Sequence, residues 1–457
     1  MTPAWRPSRA ILELGPTFWD AVAAADFPAT ILRYRNDRAA ASVGLDDLDD
    51  AAWLAHFGRF APLPGSLEVP LALRYHGHQF RTYNPDLGDG RGFLFAQMLD
   101  DHGRLLDLGT KGSGQTPWSR AGDGRLTLKG GMREVLATEM LTALGVDTSQ
   151  SFSLIETGEA LERGDEPSPT RSAVLVRLSH SHIRYGTFQR LAAIGDAPGM
   201  AALTDYVLRH YFPAVDRAEP YAALLDVAVS GAATQAAAMM AAGFVHGVLN
   251  TDNINITGES FDYGPYRFAP TFDAGFTAAY FDHHGLYSFG RQPEALQWNV
   301  YQLAGALRLV APTEALAPAL RRFPDHYAAA LRSAMLARLG VASCGETEDS
   351  ALIAALATGL ADSGAGLDSF WFDWRGGRLR RPTTVYDAPA FEPFVAAVGT
   401  YTPAASLDHD YWSDAAPCSL LIDEIEAIWT AIAADDNWSL FTAKLAAIRR
   451  MGMAMGR

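Results

Sequence analysis

The sequence predicts an α+β chain in two parts, a sheet-rich first lobe with one key helix and a larger helical second lobe. Three observations carry this reading. Short β-like runs separated by Gly, Asp and Ser clusters fill residues 70 to 190. A single helical run interrupts them, and beyond about residue 191 the periodicity is mainly helical.

Taken in order, residues 1–60 read as helical patches, "PTFWDAVAAADF" and "LDDLDDAAWLAHFGRF", broken by Pro and Gly. The β-like runs are "GFLFAQML", "LLDLGTK" and "SAVLVRLS". The helical run "MREVLATEMLTALG" puts Val135, Leu136, Met140 and Leu144 on or near one face and stops at Gly145, a C-cap signal. Ala-rich helical segments follow at 221–243, 296–310, 313–340 and 350–361, with a final pair at 419–434 and 437–451. Only a polar loop around 246–275 interrupts them. This is the two-lobed protein-kinase-like plan, with 1–190 as an N-terminal extension plus first lobe and 191–457 as the helical lobe that carries the loop.

An apolar fraction of 49% in 457 residues provides for a sizeable core. No uninterrupted apolar run reaches the ~18 residues of a membrane span, and the N-terminus lacks a signal-peptide core, so a cytoplasmic monomer that binds no membrane is expected. The two cysteines, Cys344 and Cys418, read as reduced, small, buried side chains.

A net charge of −15 argues against nucleic-acid or anionic-membrane binding. Residues 74–133 run the other way, with nine basic side chains against six acidic ones. That local excess is either a solvated face or the site of a small anion.

The polar loop reads "HGVLNTDNINI" at 246–256, with "FDYG" at 261–264. In a phosphotransferase catalytic loop a base Asp precedes the metal-binding Asn by five residues. Five before Asn253 stands Val248, whose side chain cannot accept a proton. Asn253 and Asp262 offer hard oxygens suited to Mg²⁺ or Mn²⁺ on phosphates, and Asp252 stands beside them as a replacement base; the competing reading of "NTDN" is an Asx-rich turn.

Upstream, "LGDGRGF" places Gly88, Gly90 and Gly92 at alternate positions around Asp89 and Arg91, either a plain hairpin or a backbone cradle for phosphate. Lys111 ends a predicted strand and Glu134 follows 23 residues later on the helix, the order in which a strand Lys is fixed by a helical Glu. Asp123 and Gly124, in a second "GDGR", either cap local backbone or orient basic groups around a nucleotide. Arg177 and Arg184 would be solvated on a surface loop unless a phosphate lies between them. His76 and His78 share a strand face, with a hydrogen-bonded structural role preferred to a metal site.

Together "YHGHQF", "GDGRG", "KGSGQTPWSRAGDGR", "REVLATEM", "RLSHSHIRYGTF", "HGVLNTDNINI", "DYGP" and "QPEALQWN" resemble the selenoprotein O family of kinase-like proteins, over about half the chain. The resemblance implies a protein adenylyltransferase that binds ATP in a flipped orientation and moves AMP onto Ser, Thr or Tyr hydroxyls of protein substrates, redox or metabolic proteins among them. It implies that Gly88, Gly90, Arg91, Lys111, Asp123, Gly124, Arg177 and Arg184 contact the nucleotide. It further implies that Glu134 pairs with Lys111, that Asn253 and Asp262 hold Mg²⁺ or Mn²⁺, and that Asp252 takes the proton. A reversed nucleotide presents its α-phosphorus, which would account for Val248. One feature departs from the family: its redox-active Cys or selenocysteine near the C-terminus is absent, the chain ending "RRMGMAMGR" with Cys418 39 residues away. The alternatives are conventional phosphoryl transfer, a nucleotide-binding pseudokinase scaffold, and transfer of UMP from UTP.

Overall fold

In the computed structural model, which describes residues 4–164 and 166–457, an antiparallel sheet and a helical portion meet along one side of the sheet. The sheet runs in the order Trp19–Ala21, Leu71–Leu73, Leu94–Leu99, Leu105–Lys111, Thr170–Ser179, Gln150–Leu161, Ile31–Arg35. Two short strands join it: Pro7–Ser8 on Leu94–Leu99, and Leu126–Thr127 on Thr170–Ser179.

Alternation along the central strands divides the core. Phe93, Phe95, Val174 and Val176 point to one face, where they meet Trp53, Phe57 and Phe152. Leu94, Ala173 and Leu175 point to the other, where they meet Met132, Val135, Leu136 and Met140 of the Leu128–Ala143 helix. That helix starts four residues earlier than "MREV", because Thr127 caps it by accepting from the Gly130 N–H at 3.1 Å. It ends as the sequence indicates, with Gly145 at φ +79°.

Two sequence expectations fail. "PTFWDAVAAADF" is not helical: Trp19–Ala21 is a strand on Leu71–Leu73, and the following amides donate across the fold, Val22 to Pro70 and Ala25 to Ser113. Backbone groups satisfied by distant carbonyls leave no helix to form. Likewise 313–340 is two helices, Thr313–Arg321 and Phe323–Leu339, the second opening with Pro324 in its first turn.

The remaining helical segments form as Pro220–Ala242, Gln292–Leu307, Glu346–Ser363, Ile422–Asp435 and Ser439–Ala454. Pro220–Ala242 is long and apolar enough to cross a membrane by composition, but here it is a core helix packed against Gln292–Leu307 and Phe323–Leu339. Residues 374–421, between the helical segments the sequence indicates, are mostly turns, punctuated by Pro382, Pro389, Pro393, Pro403 and Pro417. Both cysteines are free thiols. Cys344 is exposed, contrary to expectation, and Cys418 is half-buried with its thiol pushed up to about 11 by that burial.

Candidate active site

A cavity of about 700 Å³ opens between the sheet and the 246–262 loop. Seven cationic and five acidic side chains line it, so this part of a strongly acidic chain is locally positive. Gly88, Gly90, Arg91, Lys111, Asp123, Gly124, Arg177, Arg184, Asp252 and Asp262 all contribute to the lining. Glu134 and Asn253 do not, and both act from behind it.

Lys111, at the end of its strand, is almost wholly buried; its ammonium is bonded to Glu134 and donates to Asp262 Oδ1 at 2.5 Å. Arg177, on the neighbouring strand, reaches the same Asp262 oxygen at 3.4 Å and lies 3.8 Å from Glu134 Oε2. Two cations and two carboxylates thus neutralise one another in a dry place, the condition under which buried charges are tolerated. Burial alone would raise the Asp262 carboxyl, but Lys111, Arg177, Arg91 and Arg184 outweigh it and hold it well below the ordinary carboxylate range. Asp262 also sits at φ +65°, a left-handed conformation that costs an L-residue energy and that these contacts enforce.

Arg184 is equally buried. It donates to Asp89 Oδ1 at 3.1 Å and to the Asp252 carbonyl at 3.0 Å, and its guanidinium lies over the Tyr75 and Phe261 rings. Neither Arg177 nor Arg184 is therefore on a solvated loop.

The 246–262 loop is closed by His246. The Val248 N–H donates to its Nδ1, so Nε2 carries the proton and donates to the Phe261 carbonyl at 2.9 Å. Burial pushes this imidazole down, which keeps it neutral. The "YHGHQF" hairpin straps the loop from outside: the His78 N–H donates to Thr251 Oγ1 at 2.7 Å and the Phe80 N–H to Asn250 Oδ1 at 3.0 Å. His78 accepts from Gln189, and His76 bonds the Tyr83 hydroxyl, so both histidines have hydrogen-bonded structural roles.

Unlike Glu134 and Asp262, Asp252 forms no ion pair among the described residues. It is 7% exposed, and its Oδ1 has no hydrogen-bond partner. Burial, with Asp262 nearby adding to it and Arg184 opposing, pushes its carboxyl up to about 6. A carboxylate poised there is suited to accept a proton near neutrality.

The donor set fits a divalent cation. Asn253 Nδ2 donates to the Val248 carbonyl at 3.0 Å, which leaves the amide oxygen as its open acceptor. Asp262, held well below the ordinary carboxylate range, is ionised and supplies a second hard oxygen. These are hard ligands of the kind Mg²⁺ and Mn²⁺ take.

The glycines of this cavity also serve packing. Gly88, Gly90 and Gly92 all have ordinary negative φ; what they permit is close packing. A Cβ on Gly88 would stand 2.4 Å from the Trp118 ring, and one on Gly92 would stand 2.0 Å from the Thr110 carbonyl oxygen. Asp123 caps local backbone, accepting from the Arg125 N–H at 3.0 Å, and also pairs with Arg163 at 2.8 Å. Sequence reasoning missed Asp89 as the partner of Arg184, Tyr75 and Trp118 as packing surfaces, and Arg163. Trp118 stands inside a quoted motif, whereas Arg163 carries no local signal at all.

A family model described as protein adenylyltransferase SelO matches residues 5–378, which includes every residue of this cavity. The chain belongs to the SelO family. It is accordingly an enzyme, a nucleotidyltransferase. Among its relatives, a protein nucleotidyltransferase YdiU from Gloeobacter violaceus is 46% identical over 460 residues, covering 96% of this chain and 94% of the relative. The YdiU proteins of Synechocystis sp. and Vibrio cholerae are 44% and 38% identical, covering 94% and 67% of this chain and 95% and 62% of their own lengths. The SelO match stops at 378, while the Gloeobacter and Synechocystis alignments take in most of the remaining helical segments as well.

Proposed function

We propose that this chain is a cytoplasmic protein adenylyltransferase of two-lobed, kinase-like architecture, with the lobes divided near residue 190. It transfers AMP from ATP to Ser, Thr or Tyr hydroxyls of protein substrates and releases pyrophosphate. The observation that carries this reading is the buried Asp252 carboxylate at the cavity wall, its Oδ1 without a hydrogen-bond partner, in a loop where Val248 occupies the ordinary base position.

In this reading ATP lies flipped, its outer phosphates among Arg91, Lys111, Arg177 and Arg184, which supply fixed positive charge in a partly dry cavity. The α-phosphorus then faces Asp252. The acceptor hydroxyl oxygen attacks that phosphorus and gives its proton to Asp252 Oδ1; the bond to the pyrophosphate bridging oxygen breaks, and pyrophosphate leaves with the electron pair. Asn253 and Asp262 would hold the divalent cation, which when bound neutralises phosphate charge.

The test is incubation of the purified protein and a protein acceptor with α-labelled or γ-labelled ATP, and in parallel with α-labelled UTP. Label from α-ATP alone is expected. Label from γ-ATP would replace this reading with phosphoryl transfer, and preferential label from UTP would replace AMP with UMP.

A further inference from the structure

Away from the active site, a small cavity of about 60 Å³ lies where four helices end or cross: the C-terminal end of Leu128–Ala143, Pro220–Ala242, Phe323–Leu339 and the chain end after Ser439–Ala454. Its walls are alanines, Met455 and three arginines, Arg338, Arg375 and Arg457. Among the described residues, no acidic side chain lines it.

Arg338 and Arg375 are each 6% exposed, and among the described residues neither forms an ion pair. Helix-end capping accounts for part of this arrangement. Arg375 Nη1 donates to the Arg338 carbonyl at 2.9 Å and to that of Ala337, at the C-terminal end of Phe323–Leu339. Capping leaves the Nε of both arginines buried without a partner. Arg338 makes weak contacts with Met455 Sδ at 3.8 Å and with the Trp371 ring.

Burial, with Arg338 and Arg457 alongside, pushes Arg375 down to about 10, and burial lowers Arg338 despite the more distant Asp368. Elsewhere in this molecule buried guanidiniums meet carboxylates, as Arg177 and Arg184 do. Asp368 offsets part of the charge on Arg338, but among the described residues no carboxylate is paired with Arg375; converging cations with so little counter-charge are costly to bury, and a bound anion offsets that cost. The volume gives room for roughly four to six waters, enough for one tetrahedral oxyanion and too little for a nucleotide.

We propose that this cavity is a binding site for a free tetrahedral oxyanion of the phosphate class, held by Arg338, Arg375 and Arg457. Gly145 makes the third contact possible: a side chain there would stand 2.7 Å from the Arg457 guanidinium. The anion would tie the C-terminal segment to the end of the helix that carries Glu134.

The test is thermal unfolding of the full chain titrated with inorganic phosphate at constant ionic strength set by chloride, with planar acetate as a second arm. A saturable rise in melting temperature with phosphate, not matched by acetate, is expected in the wild type and in Arg91→Ala, which alters the nucleotide cavity. Arg457→Ala, at an exposed position, should weaken the midpoint phosphate concentration about tenfold, the loss of one charge-assisted contact. Arg375→Met should abolish the response, and if that variant fails to fold, Arg457→Ala decides. A response lost in Arg91→Ala but intact in Arg457→Ala would place the anion in the nucleotide cavity and overturn the proposal. A non-saturating rise common to all variants, the general effect of excluded ions, would overturn it equally.

Discussion

Arg184 donates to the main-chain carbonyl of Asp252 at 3.0 Å, while the Asp252 carboxylate oxygen Oδ1 remains buried and unpaired. The arginine fixes the loop that carries the base without neutralising the base itself. A carboxylate held in this way keeps a raised affinity for protons and an open lone pair.

Asp252→Asn keeps the side-chain shape and removes the proton acceptor. Transfer should fall by about 10²–10⁴-fold, the range for losing a positioned general base. ATP affinity should change little, because the cations are untouched. Initial-rate labelling together with calorimetric ATP titration checks both; transfer within a few-fold of wild type would remove Asp252 from the role.

The raised Asp252 value also sets a pH dependence. The deprotonated form accepts the proton, so transfer should rise with pH through about 6. Stability runs in the opposite direction. The folded value is above the ordinary 3.8, so this group's contribution is fully present below that value and is lost as pH rises through about 6. Melting curves of wild type and Asp252→Asn between these values should diverge with that slope, and parallel curves would contradict the assignment.

Lys111→Met leaves Glu134 and Asp262 buried with a single remaining close cation, Arg177. Breaking a buried pair in this way should cost about 3–5 kcal/mol and abolish nucleotide binding. The depressed Asp262 value means that its favourable contribution is present above 3.8 and is lost as pH falls through the folded value. The variant, lacking Lys111, has less of that contribution to lose. Its deficit against wild type in urea unfolding should therefore narrow at acid pH.

Gly92→Ala should be worse than Gly88→Ala, because the first meets a backbone carbonyl and the second a side-chain ring that can turn. A cost of about 1–3 kcal/mol is expected for Gly92→Ala from overpacking. For Gly88→Ala the expected effect is weaker ATP binding with most stability retained. Unfolding and nucleotide titrations on the pair measure the order, and the reverse order would show that the loop is not fixed by these contacts.

The sheet strands with strong β composition, the Glu134 helix and most of the second-half helices were legible because each carries its own periodicity. Trp19–Ala21 was not, because it pairs with Leu71–Leu73 and the amides that follow it, of Val22 and Ala25, find partners in Pro70 and Ser113, far along the chain. The Lys111–Glu134 pair was legible because residue order alone orders the elements that carry it, whereas the bond from Lys111 to Asp262 was not. The pairing of Asp89 with Arg184 and of Asp123 with Arg163 was not, since ion pairs between loops leave no spacing rule. The glycine-rich loop was legible as glycine-rich but not in its cause, because Trp118 and Thr110 approach it only in the fold.

The central claim is the reversed triphosphate, and a crystal structure of the protein with a non-hydrolysable ATP analogue and Mn²⁺ tests it most directly. The account expects the γ-phosphorus inside, among Lys111, Arg177 and Arg91, and the α-phosphorus nearest Asp252 Oδ1. A γ-phosphorus nearest Asp252, with the adenine in the basic cavity, would contradict it.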